Sequence, residues 1–493
     1  MTTGANENQK IDADVVIVGY GGSGATAAIA AHDCGARVII LEKMPSGGGN
    51  TRLSGGGIST PLSREMVRYL ELLSLGTTDR EVLEAFAESA LQTEDWIREI
   101  GGELQRQSLL AVTYPLMPGA AFFPKAPGAE HVSYSCIIKG SESEAGGERL
   151  WKLLSANVER RGIRVLTGTP AKELVTNEKG GVTGVVAERD AKKVLVKAKR
   201  AVILTCGGFE YNEAMKEAFL FCKPFFAFGS PGHTGDGIIM AQKVGAALWH
   251  MTAATGYVGF KAPERQSAFA MRYHSERFIH VNRQGKRFSD ETGVELHHGW
   301  TAFSQVDASI DSNRPGFPNI PIFGIFDEVA RRKGPMYRRD NPIGLNRDYK
   351  WSADNSEEIA KGWITRAKTI RELARKISID ESSLEHTVAR YNECCKSGKD
   401  AEFGRSKETL GPIEAAPFYA IELWPGLIST RGGPRRDKHA RVLNHEGEPI
   451  PRLYAAGELG SVLGLFYSVS SLTECLAYGR IAGRSAAAEK PWG

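Results

Sequence analysis

The sequence predicts an α/β fold: a parallel sheet interrupted by an inserted α+β region. Three observations carry that prediction. A buried strand runs into G-x-G-x-x-G at Gly19, Gly21 and Gly24, then into a helix and a second strand that ends in an acid. The chain has 55 glycines in 493 residues, and they gather in clusters, the first running from Gly19 to Gly57. Residues 255–410 differ from their flanks, with more proline, more paired charge and no phosphate-loop glycines. The expected division is 1–254 and 411–493 for two parts of one domain, with 255–410 inserted between them.

The first strand contains four consecutive β-branched residues, Val15, Val16, Ile17 and Val18, the pattern of a strand buried on both faces. Residues 25–34 are alanine-rich and read as a helix, which Gly35 ends. Residues 37–41 form the next strand and Glu42 closes it. Gly19 permits the tight turn, Gly21 lets backbone approach a pyrophosphate, and Gly24 allows helix and strand to pack closely. The helix N-terminus adds partial positive charge, and Glu42 accepts ribose hydroxyls.

Apolar period predicts helices within 64–103 and over 150–162. A strand at 163–166, a hairpin of 171–176 with 182–189, and strands at 194–199 and 202–205 continue the sheet. Glycine turns follow at Thr205 to Asn212 and at Gly229 to Gly237, the second opening a helix at 238–244. Helices are expected at 356–377 and 381–397. Residues 453–458 are a strand ending in Gly457 and Glu458. A terminal helix begins at Ser470 or Ser471, with Glu474 completing a capping box with Ser471.

Composition excludes several classes. With 62 basic and 58 acidic residues the net charge is +4, and no long basic run exists, so nucleic acid is not an expected partner. Residues 1–12 are polar and carry no secretory pattern, and no stretch has the length of a membrane span. The seven cysteines are scattered without a CxxC pair, so neither a metal site nor a disulfide framework is expected, and the cytoplasm is the expected compartment.

Glu42 alone fits NAD or FAD. The segment that follows, from Ser46 to Gly57, is glycine and small polar residues, suited to run extended over a phosphate and beside a flat ring. That favours FAD.

Seven blocks now stand in order: GYGGSG with Glu42, GGNTRLSGGG, TCGGFEYN, HTGDGIIMAQKVGA, HVNRQGKRFSDE, STRGGPRRDKHARVLN, and LYAAGELGSVLG followed by AYGRIAG. In these blocks the chain resembles the flavoproteins of the fumarate reductase and 3-ketosteroid dehydrogenase group over nearly its whole length. The resemblance implies a Rossmann-like FAD domain of the glutathione-reductase type, split by a cap domain. It places Gly19, Gly21, Gly22, Ser23 and Gly24 on the pyrophosphate and Glu42, with Lys43 beside it, at the adenosine ribose. Gly48, Gly49, Asn50, Thr51, Ser54, Gly55, Gly56 and Gly57 would lie along the phosphates and the isoalloxazine. Ala171 would meet the adenine, and Thr205, Cys206, Gly207 and Gly208 would lie near the adenosine, with Asn212 following. Gly235, Asp236, Gly237 and Glu458 would hold the ribityl or ring region. Ser471 and Leu472, opening the terminal helix, would point at the flavin pyrimidine edge. The block from Asn50 to Gly57 lacks the histidine of members with attached flavin, so noncovalent FAD is implied.

The resemblance further implies hydride transfer to or from a carbon beside an electron-withdrawing group. Tyr467 stands where fumarate-type members carry an arginine and ketosteroid-type members a tyrosine; it favours an apolar ketone and is the first catalytic candidate. Ser468 and Ser470 are weaker ones. Arg431 points the other way, toward a carboxylate substrate, and Glu291 matches an acid of fumarate-type members. Arg331, Arg332 and His233 are further possibilities, and Tyr114, Tyr134, Phe122 and Phe123 could build an apolar wall. The alternatives are a ketosteroid dehydrogenase-like enzyme, an ene reductase for an unsaturated carboxylate, and a flavin-binding protein without catalysis. With no haem or iron–sulfur spacing in the chain, a separate electron donor or acceptor is implied.

Overall fold

The structure is a computed structural model and describes residues 9–106, 122–292, 297–308, 316–337 and 344–492. Strand β1 (Gln9–Val18), helix α1 (Gly22–Asp33) and strand β2 (Val38–Leu41) form the βαβ unit, with β1 and β2 parallel. Arg164–Leu166 extends the parallel array beyond β2, and Lys192–Leu204 lies on the other side of β1. Pro449–Ala455 pairs parallel to Lys192–Leu204, so the far C-terminal part of the chain completes the sheet begun at residue 9. An antiparallel hairpin, Ala171–Thr176 with Val182–Arg189, folds onto the same sheet, as expected. The two strands predicted at 194–199 and 202–205 are one continuous strand.

Helix α1 is alanine-rich because it is sandwiched. Its residues from Gly22 to Ala31 are all buried, between the sheet and the C-terminal helix Ser471–Ala488. A methyl group on Gly483 of that helix would collide with the Ala27 carbonyl, and one on Gly479 would stand 2.8 Å from Thr26 Cβ. Small residues on both helices set this close approach.

A second sheet is built on the long strand Phe418–Leu427, which pairs with Val258–Phe260, Ile322–Asp327 and Ile364–Ala367. Phe226–Ala227 pairs with the same strand. The sheets therefore do not divide at 255 and 410, and by sheet membership we propose a cap running from about Phe226 to Leu427. Its core is aromatic: Phe260, Phe269, Tyr337, Trp351 and Trp363 pack together.

Two sequence expectations need correcting. The helix expected at 356–377 is a short helix Ser356–Ala360, a strand Ile364–Ala367 and a helix Ile370–Lys376. Gly362, with φ of +77°, breaks the helical path, and pairing with Phe418–Leu427 claims the strand. The segment after Glu42 is not fully extended either: Gly49–Leu53 is a short helix, α2, entered through Gly48 at φ of +117°.

Candidate active site

A cavity of about 450 Å³ runs between the ends of the parallel strands and the cap. Its floor is made by the turns the sequence predicts. Gly19, Gly21, Gly22 and Ser23 lie along it, with Glu42, Lys43, Gly49, Asn50, Thr51 and the run from Ser54 to Gly57. Ala171, Thr205, Cys206, Gly207, Asp236, Glu458, Ser471 and Leu472 complete the set of expected cofactor residues that line it.

Six expected residues do not line the cavity and instead support its wall. Gly24 packs against the Gly19 carbonyl and Gly208 against the Thr430 hydroxyl. Gly48 and Gly235 precede helices with left-handed backbone, and Gly237 lies against Leu459 and Cys206. Asn212 caps the helix Glu213–Phe219 by accepting from Met215 N at 3.1 Å.

The floor fits a dinucleotide. A Cβ on Gly19 would sit 2.5 Å from the Thr205 carbonyl oxygen, so packing within the protein accounts for that glycine. Gly21 differs: among the described residues the only atom within 4 Å of its Cβ position is the Gly48 carbonyl oxygen, at 3.9 Å, which leaves room for a ligand to approach. Gly21 also precedes the first residue of α1, where backbone N–H groups lack intrahelical partners. The Ser471 hydroxyl, at the start of the C-terminal helix, is buried at the cavity without a hydrogen-bond partner. That helix is clamped to the glycine segment: Ser470 Oγ donates to the Gly57 carbonyl, and Ser59 N donates to Thr473 Oγ1 at 2.8 Å.

Glu42 is held by the backbone. Its two carboxylate oxygens accept from Tyr20 N and Met44 N, each at 2.8 Å. Lys43 Nζ donates to Thr234 Oγ1 at 2.6 Å and to Asp236 Oδ2 at 2.7 Å. Asn50 ties the segment to its surroundings, accepting from Ser230 N at 2.8 Å and donating to the Ile428 carbonyl at 3.2 Å. Thr51 Oγ1 accepts from Gly22 N at 3.0 Å.

Above this floor stands an aromatic wall. The Tyr467 ring stacks on His297 with centroids 4.0 Å apart and meets Phe122 edge-on at 4.8 Å. Tyr257 lies beside His297, its hydroxyl 3.3 Å from Nε2. All four side chains line the cavity. The Tyr467 oxygen accepts from Ser471 N at 3.3 Å, and its backbone N donates to His298 Nε2 at 2.9 Å. Burial pushes the Tyr467 phenol up from its usual ionisation range. Burial likewise raises the Glu458 carboxyl to about 7, and neighbouring Glu210 adds to the shift.

Of the other catalytic candidates Ser470 lines the cavity, whereas Arg431, Glu291 and Ser468 do not. Arg431 is fully buried; it donates to the Phe466 carbonyl at 3.0 Å and to Ser461 Oγ at 3.4 Å, and its guanidinium stands 5.7 Å from the Tyr467 ring centroid. Glu291 lies in a buried ion network with Arg287 at 2.7 Å and Arg405 at 3.2 Å. Ser468 has a buried hydroxyl and a carbonyl that accepts from Tyr69 Oη at 2.9 Å. Arg331 and Arg332 pair with Glu328. Phe123 packs on Phe466, while Tyr114 and the Tyr134 side chain lie outside the described residues.

Glu474 does not form a capping box with Ser471. Ser470 is the N-cap, accepting from Leu472 N at 3.1 Å. The Glu474 carboxylate turns inward to Arg436, to Ser461 Oγ at 2.5 Å and to Val462 N at 2.9 Å, because buried Arg436 offers it a charge.

Sequence reasoning missed His297, Tyr257 and Glu210. Glu210 accepts from Thr430 N at 3.0 Å and stands beside His233. Its position just after Gly207 and Gly208, at the end of a sheet strand, is a signal that could have found it. His297 and Tyr257 carry no local pattern.

A family model described as an FAD binding domain matches residues 14–472. The chain belongs to the FAD binding domain family. The members of this family bind FAD, and the glycine-floored cavity fits that cofactor. Among curated relatives of this flavoprotein, an NADH:fumarate oxidoreductase from Klebsiella pneumoniae is 30% identical over 98% of the chain. The flavoprotein spans about half of that relative's length, 48%. A 3-oxosteroid 1-dehydrogenase from Comamonas testosteroni is 26% identical, with 90% of each chain covered. Among solved structures, a 3-ketosteroid delta1-dehydrogenase from Sterolibacterium denitrificans has a TM-score of 0.81 at 23% identity, covering 97% of this chain and 99% of that one; this likeness shows the fold. No helix among the described residues is long and apolar enough to cross a membrane.

Proposed function

We propose that the chain is an FAD-dependent oxidoreductase that moves a hydride between flavin and a carbon–carbon bond conjugated to a carbonyl, with a 3-ketosteroid-like apolar ketone as substrate. The observation that carries this reading is Tyr467: the residue lines the cavity inside an aromatic wall, with its hydroxyl at the first turn of the C-terminal helix. Bound flavin supplies the hydride acceptor or donor. The Tyr467 oxygen accepts from Ser471 N, which polarises its O–H toward a carbonyl oxygen and stabilises negative charge developing there. Phe122, Tyr257 and His297 offer apolar ring surface and exclude water. Arg431, the sequence's candidate for gripping a carboxylate, is buried behind Tyr467 and supports the loop that presents it. FAD is held noncovalently, and electrons pass to or from a separate partner.

A second reading, reduction of an unsaturated carboxylate, draws support from the fumarate-reducing relative and from Arg52 at the cavity. Anaerobic titration of the purified flavoprotein separates the two. Saturated 3-ketosteroids bleaching the oxidised flavin, or steroid enones reoxidising the reduced flavin, supports the first reading. Reoxidation by fumarate or acrylate alone supports the second, and a protein without flavin absorbance removes both.

A further inference from the structure

His233 lies beside the phosphate floor in a setting that neither the fold nor the proposed reaction requires. Its Nε2 is 3.5 Å from the Cβ position of Gly49, which in turn is 3.9 Å from Gly21 Cα. The edge of the ring that carries Nε2 and Cε1 also borders Gly207, where a Cβ would come within 2.7 Å of Cε1. The side chain lines the cavity. On the other side, Nδ1 faces Glu210 Oε2 at 3.2 Å, and the Glu210 side chain is 1% exposed. Glu210 is fixed by Thr430 N, and the His233 backbone is fixed by Tyr211 N at 2.9 Å and the Ser230 carbonyl at 3.2 Å. The pair is a buried carboxylate backing an imidazole whose second nitrogen turns to the space where Gly21 and Gly49 leave room for phosphate.

We propose that His233, backed by Glu210, is the cationic side chain that binds the FAD diphosphate at this floor. The proposal rests on the FAD site already assigned. The helix N-terminus of α1 supplies only partial charge, and a diphosphate carries more than it can balance. Two other cations line the cavity: Lys43 is paired with Asp236 at 2.7 Å, and Arg52 is exposed to solvent. The groups whose charge acts on His233 are Glu210 and Glu458, which favour its protonated form, and Lys43, which opposes it. Burial is the largest single effect and disfavours the charge, and Glu210 and Glu458 together outweigh it.

The test measures equilibrium binding of FAD, FMN and riboflavin to the apoprotein from pH 6 to pH 9, with wild type, His233→Gln, His233→Lys and Glu458→Gln. The Kd of His233→Gln for FAD should rise about tenfold or more, the loss expected for one charge-assisted hydrogen bond, while riboflavin binding stays unchanged. His233→Lys should recover part of the loss. In wild type the advantage of FAD over riboflavin should shrink as pH rises, and it should still do so in Glu458→Gln, whose own titration near neutrality is removed. The wild-type pH series needs no folded variant. Equal weakening of riboflavin and FAD, or a pH-independent advantage in wild type, overturns the role of His233. Failure of the wild-type chain to bind any flavin overturns the cofactor site itself.

Discussion

His297 and Tyr467 stack face to face, with ring centroids 4.0 Å apart and planes 12° from parallel. The pair joins the proposed cap to the turn that precedes the C-terminal helix Ser471–Ala488. The neighbouring His298 makes the same junction through its bond to Tyr467 N. The cap thus helps to set where the Tyr467 hydroxyl points.

Tyr467→Phe keeps the ring and its stacking while removing the hydroxyl. Turnover of an enone should fall about 10²–10⁴-fold, the range for loss of a positioned acid–base group, with KM and flavin content little changed. A loss of flavin or a purely KM effect would assign Tyr467 to packing. Steady-state kinetics with an artificial electron donor reads the difference.

Arg431→Ala should act through Tyr467 and not through a substrate carboxylate. It strips the Phe466 carbonyl of its donor in the interior, so stability should fall by about 1–3 kcal/mol in urea unfolding. Ketones and unsaturated acids should lose activity to the same extent. A selective loss on acids would return Arg431 to the substrate.

Two floor glycines separate ligand contact from packing. Gly21→Val projects into open space, so the apoprotein should fold while overpacking against FAD costs about 1–3 kcal/mol of binding, a factor of about 5 to 150 in Kd. Gly24→Val drives a side chain into the Gly19 carbonyl and should lower the melting temperature of the apoprotein itself. Thermal unfolding and flavin titration of both variants check the pair.

The βαβ unit, the glycine floor and the hairpin were legible because each is written in a contiguous stretch: Val15 to Gly24, Gly48 to Gly57, and 171–189. The aromatic wall was not. His298 and Tyr467 are 169 positions apart, and nothing local to either announces the other. The helix expected over 356–377 shows the same limit, since its period was apolar enough but Ile364–Ala367 is claimed by a distant strand. Glu474 had a capping spacing with Ser471, and a buried arginine outbid the cap. Arg431 and Glu291 matched motif positions correctly, yet burial with Phe466, Arg287 and Arg405 decided what their side chains touch.

Glu458 gives a pH signature. Its carboxyl is raised to about 7 from a reference value of 4.5, so the folded apoprotein holds a proton that the unfolded chain releases between those values. Stability from this group is present below about pH 4.5 and is lost as pH rises toward about 7. Glu458→Gln should therefore flatten the decline of stability across that window, as read by urea unfolding at each pH. An unchanged slope would mean that Glu458 ionises as an ordinary surface acid.

The central claim is that the Tyr467 wall selects an apolar ketone over a small acid. The most direct measurement is kcat/KM of the FAD-loaded wild-type protein for a 3-ketosteroid against that for fumarate or acrylate, under one electron acceptor or donor system for each direction. The account predicts that the ketosteroid is preferred by at least about tenfold, on the order of 1.4 kcal/mol of transition-state discrimination. Equal or greater kcat/KM on the unsaturated acids would contradict it.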